Sequence, residues 1–133
     1  MRFILLPQLQ ECGWEPCDVG GDLTYTRSQT PFDAPWLDWS LCEAEPEWNQ
    51  DAGLFEAKEP VQVARAKWVR RWLRDRPESI VVVVCHAGFL RRITRLPPGT
   101  PWLNAEVREY TFKDPSLADD EAELERVDLG IQA

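Results

Sequence analysis

This sequence predicts an α/β fold, a mostly parallel sheet flanked by helices, and three adjoining stretches carry the prediction. Ile80 to Cys85 is an unbroken apolar run, β-branched from Ile80 to Val84, the composition of a strand buried on both faces in the middle of a parallel sheet. Upstream, Val61 to Arg76 spaces its apolar residues as a helix does. Downstream, Phe89 to Arg95 reads as the start of a second helix, entered through the small-residue turn His86-Ala87-Gly88. Strand and helix in alternation place the helices on the faces of the sheet.

Taken in order, Phe3 to Leu9 reads as a short strand, since its apolar run is too brief for a buried helix and Gln8, Gln10 and Glu11 interrupt it. Glu11 to about Pro60 is loop-like and dense in Pro, Gly, Asp and Trp, a pattern that fits a lid or irregular cover over a site. Trp14, Tyr25, Trp36, Trp39 and Trp48 in this stretch either pave a pocket or fasten the cover to the core. Glu59-Pro60 opens the first long helix, with Val61, Ala64, Trp68 and Trp72 inward beside Val69 and Leu73, and Pro77 ends it. Its other face carries Arg65, Lys67, Arg70, Arg71 and Arg74, read as a solvated basic face that complements the helix dipole rather than as an anion-binding stripe. After the Phe89 to Arg95 helix, Leu96 to Pro101 breaks the chain and Ala105 to Phe112 reads as another strand joining the sheet. Leu124, Val127 and Leu129 make an edge strand or a frayed tail.

The 133 residues suit one domain, 1–133, with one core. Fifteen Lys and Arg against 23 Asp and Glu leave a formal charge of -8, which repels a phosphate backbone, so nucleic acid is not an expected partner. The longest apolar run falls far short of the roughly 20 residues that span a bilayer, and Pro7 and Gln8 interrupt the N-terminus before it could make a signal-peptide core. A cytoplasmic protein without membrane association is expected. Cys12, Cys17, Cys42 and Cys85 are read as reduced thiols. Cys12 and Cys17 alone do not complete a zinc set, so neither metal nor cofactor is expected.

His86 is the only histidine, and it ends the predicted central strand where ligands bind in open α/β folds. There its imidazole can transfer a proton near neutral pH, and Ala87 and Gly88 let an anion approach the backbone N–H groups of the next helix. The plainer alternative is a histidine that caps the helix or packs under the cover.

Three segments carry a resemblance to a known family. Val81-Val82-Val83-Val84-Cys85-His86-Ala87-Gly88-Phe89-Leu90 resembles the second-histidine motif of the histidine phosphatase superfamily, the phosphoglycerate-mutase-like proteins. Leu9-Gln10-Glu11 followed by Pro16-Cys17-Asp18-Val19-Gly20, and Trp102-Leu103-Asn104-Ala105-Glu106-Val107-Arg108-Glu109-Tyr110-Thr111-Phe112, are similar to segments of its fungal-type members. The resemblance runs from about Ile4 to Phe112 and implies the C-terminal half of that fold, a truncated domain. The superfamily's Arg-His-Gly triplet, with its nucleophilic histidine, and its Ser-Pro-Leu-Arg-Arg segment have no counterpart in these residues, and Ala87 stands where the motif has glycine. Of the family's roles, the resemblance gives His86 that of the second, electrostatic histidine and Glu11 that of the acid that protonates the leaving oxygen. Asp18, Asn104 and Trp14 join Ala87 and Gly88 as candidate ligand-binding residues.

Without the nucleophile, the expectation is a repurposed protein acting on a small anionic or phenolic metabolite through acid–base chemistry at His86 with Glu11: isomerisation, cyclisation, elimination or hydrolysis. The alternatives are a non-catalytic pseudophosphatase that binds a small molecule or partner, and a fragment of a complete phosphatase. The resemblance also implies that both strands flanking Ile80 to Cys85 are missing, so either Phe3 to Leu9 and Ala105 to Phe112 close against it or a second copy pairs with it, and a homodimer is expected.

Overall fold

The computed structural model describes residues 3–29 and 34–128. Strand β1 (Phe3–Ile4) leads through a 3-10 turn (Pro7–Leu9) into helix α1 (Leu23–Ser28), strand β2 (Leu37–Asp38) and helix α2 (Ser40–Ala44). A second 3-10 turn (Gly53–Phe55) precedes helix α3 (Glu59–Arg74), and helix α4 (Ala87–Ile93) and strands β3 (Tyr110–Phe112) and β4 (Leu124–Arg126) follow. Strands and helices thus mix as expected, but the sheet is not mostly parallel. Strands β1 and β2 form a parallel pair in which Phe3 meets Leu37, while β3 and β4 form an antiparallel one in which Thr111 meets Glu125.

Helix α3 organises the fold. Pro60 sits in its first turn with Glu59, Arg71 and Arg74 lie in its last, and the backbone N–H of Asp75 closes it on the carbonyl of Arg71. Its buried residues are Gln62, Arg65, Ala66, Val69 and Arg70, a stripe at i, i+3, i+4, i+7 and i+8. Ala66 and Val69 pack with Phe89 and Ile93 of α4 to form the core, which Leu9, Cys12, Leu73, Cys85 and Leu124 surround. Phe89 and Val69 are fully buried, so truncating Phe89 to Ala is a change of about 3–5 kcal/mol.

The helix is therefore rotated from the sequence expectation. Trp68 and Ala64 face outward, whereas Arg65 and Arg70, expected on a solvated face, are almost wholly buried. Their long apolar stems fill the space and their guanidinium groups find carbonyls. Arg65 donates to Gln10 O (3.2 Å) and Glu11 O (3.1 Å), and Arg70 to Glu121 O (2.9 Å) and Ile93 O (3.3 Å). Lys67 and Arg71 reach the same C-terminal segment through Asp120, fastening it along α3.

Residues 80–85 correct the central expectation. They precede α4 as an irregular segment, and no backbone hydrogen bond joins them to any other described residue. Ile80, Val82 and Val84 are 82%, 76% and 87% exposed, and Val81 is 41% exposed. The physical reason lies in the neighbours: Phe3–Ile4 pairs with Leu37–Asp38, and Tyr110–Phe112 pairs with Leu124–Arg126, so neither expected partner forms a ladder with the valine run, although Leu9 O accepts from the Cys85 thiol. Both expected strands are also shorter than read: Pro7–Leu9 turns instead of continuing extended, and Val107 is 90% exposed outside any ladder. The Glu11 to Pro60 stretch, expected as a loop-like cover, holds short helices and a strand, and only its Cys12 lines the cavity that opens beside Gly88. Of the final alternation, Leu124 joins β4 and Leu129 lies outside the described residues. No helix among the described residues is long and apolar enough to cross a membrane.

Candidate functional site

His86 is exposed and forms the N-cap of α4, with extended backbone (φ -94°, ψ 150°) and no side-chain cap bond. Its carbonyl accepts the N–H of Leu90 at 2.8 Å, starting the helix. The capping side chain comes from elsewhere. The carboxylate of Glu11 accepts the N–H of Gly88 at 3.1 Å and the N–H of its own neighbour Cys12 at 2.8 Å. A carboxylate at an unpaired first-turn N–H is favoured both as a charge-assisted bond and by the dipole. The close approach needs glycine, because a Cβ at residue 88 would come within 2.4 Å of Glu11 Oε1.

The backbone of Glu11 is held in turn by Arg65, whose guanidinium also lies 4.3 Å from the ring centroid of Phe89. Arg65 Nε is buried without a hydrogen-bond partner. Burial lowers the Arg65 pKa, and nearby Cys12 partly offsets that. The Cys85 thiol donates to Leu9 O at 2.9 Å, and burial pushes its pKa up to about 12. Burial, and then Glu11, also raise that of Cys12. Neither thiol is an activated nucleophile.

Beside Gly88 opens a cavity of about 240 Å³ lined by Cys12, Gln62, Gly88, Arg91, Arg92, Leu96, Pro98 and Gly99. Gly88, Arg91 and Arg92 stand at i, i+3 and i+4 and so share one face of α4. Gln62 crosses from α3 and donates to Cys12 O at 3.0 Å. Arg91 donates one N–H to Thr100 O (3.3 Å) and Arg92 one to Glu59 (2.8 Å), and a guanidinium carries five. A second cavity of about 220 Å³ shares Arg91, Arg92 and Leu96 with the first and adds Val63, Arg70 and Arg95. In a chain of net charge -8 this is a locally cationic cleft, able to concentrate a small anion.

The candidate residues from the sequence are distributed unevenly around it. Glu11 and Gly88 meet, and Gly88 lines the cavity that His86 and Ala87 precede in sequence. His86, Ala87, Glu11, Asp18, Trp14 and Asn104 are not among its lining residues, so of the candidates only Gly88 lines it. Asp18 lies against Gly13 and near the thiol of Cys17, and Asn104 is exposed. The aromatics of the Glu11 to Pro60 stretch pack away from the cavity: Trp36 stacks edge-on against Phe3 of β1 at 5.3 Å, and Trp48 lies against Gly20. Sequence reasoning missed Arg91, Arg92, Gln62 and Cys12, although the i, i+3, i+4 spacing of Gly88, Arg91 and Arg92 was a usable signal. Among the described residues no three His, Cys, Asp or Glu side chains converge as a metal set would.

The chain is 25% identical over 109 residues to a probable phosphatase of Schizosaccharomyces pombe. The match takes in 81% of this chain and 48% of that protein, so the chain spans about half the length of the curated relative it matches. No protein-family profile matches the chain. No solved structure matches it either. The similarity reaches a phosphatase-like protein and no further.

Proposed function

We propose that this chain is a histidine-phosphatase-like unit that binds a small phosphorylated anion in the cleft of Gly88, Arg91 and Arg92, with His86 as the proton-transferring group at its edge. The observation that carries the reading is the placement of two arginines on the face of α4 that Gly88 shares, next to the turn that holds the only histidine. Arginine forks match phosphate oxygens, and the distant similarity to a probable phosphatase supports the same ligand class.

The chemistry available to these groups is binding and proton transfer. Phosphoryl transfer needs a nucleophile in line with the leaving oxygen and several cations around the equatorial oxygens. Here the two nearest thiols are partly buried and held protonated, and these 133 residues hold no second histidine to stabilise a phosphohistidine. Glu11 serves as the cap of α4, and protonating a leaving group would require it to release the N–H groups of Gly88 and Cys12. The reading is tested by titration calorimetry with 3-phosphoglycerate and with inorganic phosphate. Saturable binding weakened about tenfold or more by Arg91→Ala with Arg92→Ala is expected, that being the worth of one lost charge-assisted hydrogen bond. Absence of binding, or binding indifferent to both arginines, would overturn it.

A further inference from the structure

The cavity beside Gly88 contains one polar group that neither the fold nor the two arginines use. Gln62, on α3, is only 7% exposed and lines the cavity together with Cys12 and Gly88. Chemistry orients its amide: Cys12 O can only accept, so Nε2 must face it, and Nε2 donates there at 3.0 Å. The amide oxygen Oε1 is left without a hydrogen bond from any described residue. Nor is it sealed away, as the unpartnered Gln8 Oε1 and Gln10 Oε1 are. In a side chain buried this deeply, the little surface left open is that of the cavity it lines.

Given the phosphate-binding reading of the cleft, on which this rests, we infer that Gln62 Oε1 selects among phosphorylated ligands by accepting a hydrogen bond from an alcohol hydroxyl. The preferred ligand is a small phosphomonoester that carries a hydroxyl group. A buried acceptor without a donor costs free energy, and a ligand group that supplies the donor recovers it. The lining decides which donor fits. Arg91 and Arg92 repel an ammonium group, and no Asp or Glu is among the described lining residues to receive one. A neutral hydroxyl meets no such penalty. The volume of about 240 Å³ falls below the roughly 300 Å³ at which pockets for drug-sized ligands begin, so the compound is small. A short hydroxylated carbon chain ending in phosphate gives each wall its complement: phosphate oxygens for the arginines, carbon for Leu96 and Pro98, and a hydroxyl for Gln62.

The test is titration calorimetry on the full chain with glycerol phosphate and with n-propyl phosphate, which differ only in their hydroxyls. At about pH 8, above the second phosphate ionisation at about 6, both carry the same charge and neither keeps a P–OH donor. Glycerol phosphate should bind the native chain about fivefold tighter or more, the worth of one neutral hydrogen bond to a buried acceptor. Gln62→Met keeps the side chain's length without its acceptor and should abolish the preference, while n-propyl phosphate binds as before. Because Gln62→Met also leaves Cys12 O without its donor, the comparison of the two ligands on the native chain decides the matter if that variant does not fold. Equal affinity for the two ligands would overturn the inference and leave the phosphate reading standing, whereas binding of neither would remove both. A preference that persists in folded Gln62→Met would assign the hydroxyl to another group and overturn the inference as well.

Discussion

The carboxylate of Glu11 sits on the backbone N–H of Gly88 at 3.1 Å, and this bond ties the N-terminal turn of the chain to the helix that follows its only histidine. The two residues are 77 positions apart. The bond fixes the start of α4, whose N-cap is His86.

Glu11→Ala should therefore cost about 1–2 kcal/mol, the worth of a lost cap with its backbone donors left unpaired. Gly88→Ala should cost a similar amount by driving the carboxylate away. Because both changes break one contact, the double variant should be less destabilised than the sum, with a coupling of about 1 kcal/mol in urea unfolding. Additivity would mean that the contact contributes nothing.

Much of this arrangement was legible in the sequence. Helices α3 and α4 follow from periodicity, Pro60 and the His-Ala-Gly turn, all local features. The 80–85 segment shows the limit: its composition marks an apolar, extended stretch, but pairing depends on strands elsewhere in the chain, and Phe3–Ile4 and Tyr110–Phe112 bond to other partners. The burial of Arg65 and Arg70 was hidden because charged side chains are ordinarily solvated, and only tertiary carbonyls such as Gln10 O and Ile93 O make burial tolerable. The link between Glu11 and Gly88 joins positions whose proximity no local pattern reveals.

Arg65 is a second determinant of the same turn. Arg65→Ala leaves a cavity over Phe89 and two carbonyls without their donor, and should destabilise the fold by about 3 kcal/mol or more. Arg65→Met keeps the apolar stem and should recover a substantial part of that loss. Equal loss in both variants would show that the guanidinium, and not the packing of its stem, is what matters.

Acid should loosen the C-terminal fastening first. Hydrogen bonding from Lys67 holds the carboxyls of Asp120 and Glu121 below their ordinary values of 3.8 and 4.5. A depressed folded value means that the stabilisation is fully present above those ordinary values and is lost as pH falls through the lowered ones. Lowering the pH from 6 towards 3 should therefore reduce stability less in Lys67→Met than in the native chain, as measured by thermal unfolding. An identical pH dependence would remove this pair from the account.

The chain should not hydrolyse phosphomonoesters through a phosphohistidine. With an aryl phosphate and with 3-phosphoglycerate between pH 5 and 8, turnover should stay at background and no acid-labile phosphate should accumulate on the protein. Turnover of about 1 per second or more, abolished by His86→Ala, would mean that one histidine suffices.

The central claim, a phosphate-binding cleft edged by His86, has a direct probe because the chain contains a single histidine and its imidazole signals in a heteronuclear NMR spectrum need no assignment. Titration with 3-phosphoglycerate should move those signals along a saturable curve, and Arg91→Ala with Arg92→Ala should abolish the movement while leaving the unliganded spectrum folded. Imidazole signals that stay in place as the ligand is added, or that move equally with both arginines removed, would contradict the account.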